Sequence, residues 1–544
     1  MNFVFTPAHH RFKRMALACA GTAALLLGCG GGGGSSAPVA ATTAPVIPPT
    51  VSIDVFGARG ASLTAIVSAT NCSATPSVSW QTSSGGALGS GLTIQDTQAT
   101  ATISATATCS TATATETLSA NSVYSTLAAF AVLQNGKAIA WGNPVWGGDT
   151  SGAAALSNIS QLYPSERGFA ALINNGSVGL WGSSYLDISS ATSALTNIAS
   201  IIPGRVAYFG IKKDGSLTAW GVARGLITQN DVAFNDANAG LSAATLASLV
   251  NIKSIASTEG AYAALKNDGS VVAFGDADSG GDASSVQTQL LNVKQIVATN
   301  YDFVALRNDG SVVGWSGSFG WSTPTSAQLL SNIKSLSTNG AVGVALSSSG
   351  TATAFGDITQ VDAVDTSSVA SLLTNIVSIS ATQTAFAAIR SDGSVVSWGD
   401  LPRMQGSLNS VQPALVNVKS LYSSDYAFAA LKNDGTVVTW GQAESGGDSS
   451  AVAAQLNNVV AISANHYAFA ALKADGSVVT WGMASKGGDS SAVAAKLTQV
   501  RAIYATALGA FLAVSKDGSF TTWGDQWAGG GSVPASLSKI PYSG

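Results

Sequence analysis

The chain has 544 residues, 46% of them hydrophobic and only 10% charged, with 59 glycines and a formal net charge of −4. An ordinary soluble domain is about a quarter charged, so this composition suits an exported, sheet-rich protein better than a helical cytosolic enzyme. Residues 1–28 hold Arg11, Lys13 and Arg14 and no acid, which leaves −4 − 3 = −7 on the remainder, a poor electrostatic match for nucleic acid.

The first element is HHRFKRMALACAGTAALLLGC, a basic stretch followed by an apolar run from Met15 to Leu27. That order is the order of a signal peptide, and the run is short for a bilayer span. Its end, Leu26-Leu27-Gly28-Cys29, resembles the bacterial lipobox. The resemblance implies removal of residues 1–28 and a lipid on Cys29. Gly30 stands where Asp would retain such a protein at the inner membrane, so the outer membrane is the expected destination. Residues 29–50 then read as a tether, Gly/Ser-rich and stiffened by proline toward Thr50.

Residues 51–120 carry short alternating runs such as SLTAIVSAT and ATATISATA. Cys72 and Cys109 are the cysteines left in the mature chain, and an even pair in an oxidising compartment reads as a disulfide. With Trp80 between them, the segment resembles an immunoglobulin-like bacterial surface domain, which implies a small β-sandwich acting as a spacer.

From residue 121 to 544 the chain repeats. Ten turn glycines, from Gly136 to Gly518, are spaced 40, 39, 54, 41, 40, 43, 42, 41 and 42 residues apart, and each has Trp or Phe five residues later. In the copy YAFAALKADGSVVTWG, Tyr467–Gly482, Asp475-Gly476 suggests a two-residue type I′ turn. That turn pairs Lys473 with Val478 and Ala470 with Trp481, and puts Ala470, Leu472, Val479 and Trp481 on one face. Both faces are apolar and must be covered on both sides. Between hairpins, GGDSSAVAAQLNNVVAIS predicts a short helical turn capped by Ser449, a break at Asn457-Asn458, and a further strand. About three strands per 41 residues, stacked through both faces, predicts an all-β fold: a β-propeller of ten repeats. A linear solenoid would leave two apolar ends, and no polar capping repeat is present. LSKI, Leu537–Ile540, echoes LSNI, Leu156–Ile159, and is placed to close the circle.

ISANHYAFAALKADGSVVTWG resembles the repeat of the regulator of chromosome condensation family, whose core reads A-L-x-x-D-G-x-V-x-x-W-G. The short copies are most similar to secreted bacterial members such as the propeller-type β-lactamase inhibitory proteins. The resemblance implies a non-enzymatic scaffold that binds a protein partner at the cell envelope. A carbohydrate-binding or adhesive surface protein is the alternative reading, and a polysaccharide-processing enzyme on a propeller is the third. No catalytic residue, cofactor or metal is expected: His466 is the one histidine beyond the signal, and no nucleophile elbow, HExxH or P-loop occurs. DADSGGD, Asp276–Asp282, has its acids at loop positions 1, 3 and 7, off the calcium-loop pattern. Recognition is expected where the repeat is broken. Those places are the long insertion within Val222–Val250 and the extra aromatics Trp146, Trp321 and Trp527, which fall 5, 6 and 4 residues beyond their repeat tryptophans.

Overall fold

The computed structural model describes residues 48–149, 151, 154–182, 195–204, 207–221, 243–317, 330–340, 342–355, 366–399 and 408–540. Residues 1–28, expected to be a signal peptide, Cys29, Trp321 and most of the Val222–Val250 insertion lie outside them. Pro49–Gly544 forms one compact unit.

Residues 50–118 make two antiparallel sheets. One holds Thr50–Phe56, Ser62–Thr70 and Thr93–Gln95; the other runs Ala87–Ser90, Ser77–Thr82, Ile103–Cys109, Ala112–Leu118. Burial alternates strictly along Ile103–Cys109, as expected of a strand with one face on a core. Trp80 is buried there, its indole N–H donating to the Gly91 carbonyl at 2.9 Å. Cys72 and Cys109 are bonded, with Cα atoms 5.5 Å apart.

Ten three-stranded antiparallel sheets follow in chain order among the described residues, each with its middle strand second in sequence. First strands of successive sheets approach within 8 Å, so they lie on the inner side of the array. Third strands face outward and are followed by 3₁₀ turns such as Ala443–Ser445 and Ser450–Gln455. The arrangement is that of a β-propeller.

The hairpin register differs from the sequence expectation by one residue. Phe469 lies opposite Trp481, Ala470 opposite Thr480 and Leu472 opposite Val478. Lys473 N–H donates to Ser477 O and Gly476 N–H to Lys473 O, each at 2.9 Å, which closes a three-residue loop Ala474-Asp475-Gly476. Only Gly476 has positive φ (79°), because Asp475 accepts from both the amide and the hydroxyl of Ser477 and stays out of the left-handed region. The two-residue form occurs in the first repeat, where Asn135 and Gly136 both have positive φ. A one-residue slip exchanges the faces of a strand. Phe469, Ala471, Val479 and Trp481 therefore share one face, and Ala470 and Leu472 the other.

This register explains how the sheets stack. The aromatic face of one repeat lies on the small face of the repeat before it: Phe469 and Trp481 pack on Ala427, Ala429 and Leu431. Phe511 and Trp523 pack in the same way on Ala468, Ala470 and Leu472. Phe469 and Trp481 stack at 5.3 Å and 15°. The indole N–H of Trp481 donates across the junction to Gly446 O of the preceding repeat (3.0 Å), as Trp181 does to Gly147, Trp315 to Gly280 and Trp523 to Gly487. Gly446 is required there: its φ is +93° and a Cβ would stand 2.5 Å from the Phe469 ring. On the opposite edge the turn carbonyls continue the register, Gly435 accepting from Val459 N and Gly476 from Val500 N, each at 2.9 Å. Asn458 precedes that strand with φ 53° and turns the chain into it. Ser449 sits at the position expected of a helix cap, but it makes no cap bond; its hydroxyl accepts from Thr439.

The last repeat meets the first by the same contacts. Trp141 donates to Gly529 O (3.1 Å), and Phe130 and Trp141 share a core with Ala510, Leu512 and Ala528. Ile540 N–H donates to Gly518 O at 3.0 Å, the bond Ile159 makes to Gly136, and Ser538 exchanges two hydrogen bonds with the Gln134 side chain. The C-terminal LSKI thus does on the last repeat what LSNI does on the first.

The N-terminal sheets pack on the inner strands of the last repeats. Phe56 is buried with Val500, Ile503 and Phe511, Gly57 N–H donates to Arg501 O (2.9 Å), and Asp54 pairs with Arg501 and Lys516.

Candidate functional site: the cavity mouth and its rim

Every described repeat turns from its first to its second strand through a short loop, and these loops line a single cavity of about 1290 Å³. A hydroxyl or amide side chain begins each of these loops except the third, where Gly204 stands. Thr258 accepts from Ala261 N–H and donates to Ser279 O, both at 2.9 Å. Ser424, Asn465 and Thr506 make the corresponding bonds to Ser445 O, Lys486 O and Ala528 O. One side chain thereby ties the inner loop to the outer 3₁₀ turn, so both stand on the same face of the array.

The next residue varies from repeat to repeat. At that position stand Leu127, Glu166, Glu259, Asn300, Gly340, Gln383, Asp425, His466 and Ala507, all but Gly340 with side chains. Their backbones are joined around the mouth: Gln383 N–H donates to Asp425 O (3.0 Å), Asp425 to His466 (3.2 Å), His466 to Ala507 (3.0 Å), and Leu508 to Leu127 (2.8 Å). Glu259 to Asn300 and Asn300 to Gly340 extend the same belt, at 2.8 and 2.6 Å. A constant backbone therefore presents a varied set of side chains.

His466 and Asp425, which share one repeat position in the sequence, become neighbours here, with Nδ1 3.5 Å from Oδ2. Burial pushes the Asp425 carboxyl above the ordinary carboxylate range, against the opposing pull of His466 and the Gln383 side chain. The pair supplies charge and hydrogen bonding at the mouth. No group of three or more His, Cys, Asp or Glu able to hold a metal occurs among the described residues. The acids of DADSGGD are engaged locally: Asp276 accepts from Asp278 N–H and the Ser279 hydroxyl, and Asp282 from Ser284 N–H. The turn aspartates do the same, and hydrogen bonds from the next Ser or Thr hold Asp268, Asp309 and Asp434 below their usual range.

Trp146 and Trp527 come together on this face. Their rings meet edge-on at 5.5 Å, where the first and last repeats join. The middle residue of the 3₁₀ turn is polar in Asp278, Glu444 and Ser485 but apolar in Val145 and Trp527, which are 58% and 51% exposed. An apolar patch thus marks the junction alone among the described turns. Sequence reasoning found these tryptophans but not the mouth residues. The signal was present: in SSDYAFAAL and SANHYAFAAL the residues flanking Asp425 and His466 follow a pattern that the two residues themselves break.

No family model matches the sequence, and no curated protein matches it. Solved structures do. The CRINKLY WD40 ectodomain of an Arabidopsis thaliana receptor kinase is 15% identical, over 59% of this chain and 94% of that one, at a TM-score of 0.30. Prp20p from Saccharomyces cerevisiae, described with its binding to Gsp1p and histones, is 14% identical over 60% and 82%, at 0.29. The computationally designed Ika8 protein is 12% identical over 60% and 96%, at 0.26. The propeller assignment rests on this chain's own strand order and junction contacts.

Proposed function

We propose that the chain is a non-enzymatic outer-membrane lipoprotein, anchored through Cys29, whose ten repeats close as one propeller and serve as a rigid scaffold for a protein partner. The N-terminal sheets are read as an immunoglobulin-like domain seated against the ring. The observation that carries this reading is the cavity mouth, where the repeat holds the backbone constant and varies the side chain, as a recognition surface requires. The Trp146–Trp527 patch on the same face supplies an aromatic anchor beside that polar centre. The edge-on tryptophan pair offers no broad flat platform for a sugar ring, which favours a protein over a glycan.

The test is capture of crosslinked partners by the mature protein in its own cells. Wild type is compared with a His466→Ala/Trp527→Ala variant and with a Thr436→Ala control on the opposite turns. Loss of one protein from the first variant alone supports the proposal. An unchanged partner set overturns it, and rescue of binding by added glycans points to the carbohydrate reading. Cys29→Ala should release the protein from the membrane fraction.

A further inference from the structure

The opposite end of the inner strands carries a second, unlike surface. The ladder between first and second strands skips one residue near its start, from Ile252 to Ser254, Val293 to Gln295 and Ile333 to Ser335. The residue left out of the ladder is Lys253, Lys294 and Lys334 in turn, a bulge position that frees its side chain from the sheet. Lys253 and Lys334 are exposed and Lys294 is half-buried. None of the three forms an ion pair among the described residues. The turn acids of these repeats, Asp268 and Asp309, accept from Ser270 and Ser311. Lys266 and Arg307, which lie opposite Ile252 and Val293, add to the same field, although Arg307 is 3.6 Å from Asp309. A chain that is acidic overall has gathered bases in one arc.

The same bulge position shows within this protein what it accepts. In the last repeat it is Arg501, paired with Asp54 on the strand Thr50–Phe56 of the N-terminal sheets. Two repeats earlier it is Lys419, which donates to the Thr64 hydroxyl at 3.5 Å. Two strands of the N-terminal sheets, one of them bearing a carboxylate, thus cover the arc from Lys419 to Arg501, and beyond an exposed Val377 at the same position the lysines Lys334, Lys294 and Lys253 form a second, uncovered arc.

We propose that this second arc binds an extended acidic protein segment. Neighbouring inner strands are in contact, so the three lysines follow one another along the arc, and alternate side chains of an extended chain share one face. Carboxylates at alternate residues therefore present one charged face to the row of lysines, and charge pairing, rather than burial, sets the affinity. This surface is separate from the cavity mouth and stands or falls independently of the function proposed above.

The experiment is fluorescence anisotropy of the mature protein with a labelled twelve-residue peptide of alternating Glu and Ser, against an alternating Lys and Ser peptide. The acidic peptide should bind, bind more weakly as salt rises, and lose about tenfold or more in affinity in the Lys253→Gln/Lys294→Gln/Lys334→Gln variant. A Lys473→Gln/Lys496→Gln variant should bind as wild type does. Single Lys253→Gln and Lys334→Gln variants, both at exposed positions, replace the triple one if it fails to fold, and each should weaken binding. Absence of binding, equal binding by the arc variants, or a preference for anionic phospholipid vesicles over the peptide would each overturn the proposal.

Discussion

Replacing Trp481 tests the packing that positions every site residue. The indole is 4% exposed, stacks on Phe469, and donates to Gly446 O in the repeat before it. Trp481→Ala removes the buried ring from a junction whose backbone is held by neighbours on both sides, so collapse into the space is limited, and a loss of about 3–5 kcal/mol follows. Trp481→Phe keeps most of the buried area and loses the donor, leaving the Gly446 carbonyl short of one bond, for a loss of about 1–2 kcal/mol. Phenylalanine fits this environment, because Phe274 and Phe355 occupy the same repeat position and are buried. Urea unfolding followed by circular dichroism, with the shift of the midpoint multiplied by the slope, gives both numbers. Equal effects of the two substitutions, or a loss below about 1 kcal/mol for alanine, would refute the cross-repeat role of the ring.

Three further outcomes are expected. Reducing the Cys72–Cys109 bond, or replacing both cysteines with serine, should cost about 3–4 kcal/mol for a loop of 37 residues, read as a lowered thermal midpoint. The turn carboxylates Asp268, Asp309, Asp392 and Asp434 are held below their unfolded values, so the unfolded chain binds more protons. Their contribution is present above the unfolded carboxylate range and lost as pH falls through the folded range; an Asp→Asn change at two of these turns should flatten the acid limb of the stability profile. Asp425 has the opposite sign: its raised carboxyl disfavours folding once pH exceeds the unfolded value, so Asp425→Asn should raise the unfolding midpoint at pH 8 relative to pH 4.

The repeat, the strand content and the closing role of LSKI were legible because each is written in residue identity at fixed spacing. The register was not. Asp-Gly is the signature of a two-residue turn, and only the hydrogen bonds from Ser477 to Asp475 show that Ala474 belongs to the loop as well. Moving the register by one residue set Phe469 against Trp481, a pair that stands twelve residues apart in the sequence and recurs as Phe428/Trp440 and Phe511/Trp523. The mouth was hidden for a different reason. The break in the repeat marks Asp425 and His466 as variable but not as inward; they face a common cavity because successive sheets bring equivalent loops together. Trp146 and Trp527 are far apart in sequence and meet through the same circumstance, the contact of the last repeat with the first.

The most direct measurement is site-specific photo-crosslinking in the native cells, with the reactive residue placed at 466, at 527 and at 436. Residues 466 and 527 stand at the mouth and on its rim, and residue 436 on the opposite turn of the eighth repeat. The account predicts one discrete protein adduct shared by 466 and 527 and absent from 436. Adducts of equal yield at all three positions, or at 436 alone, would contradict it.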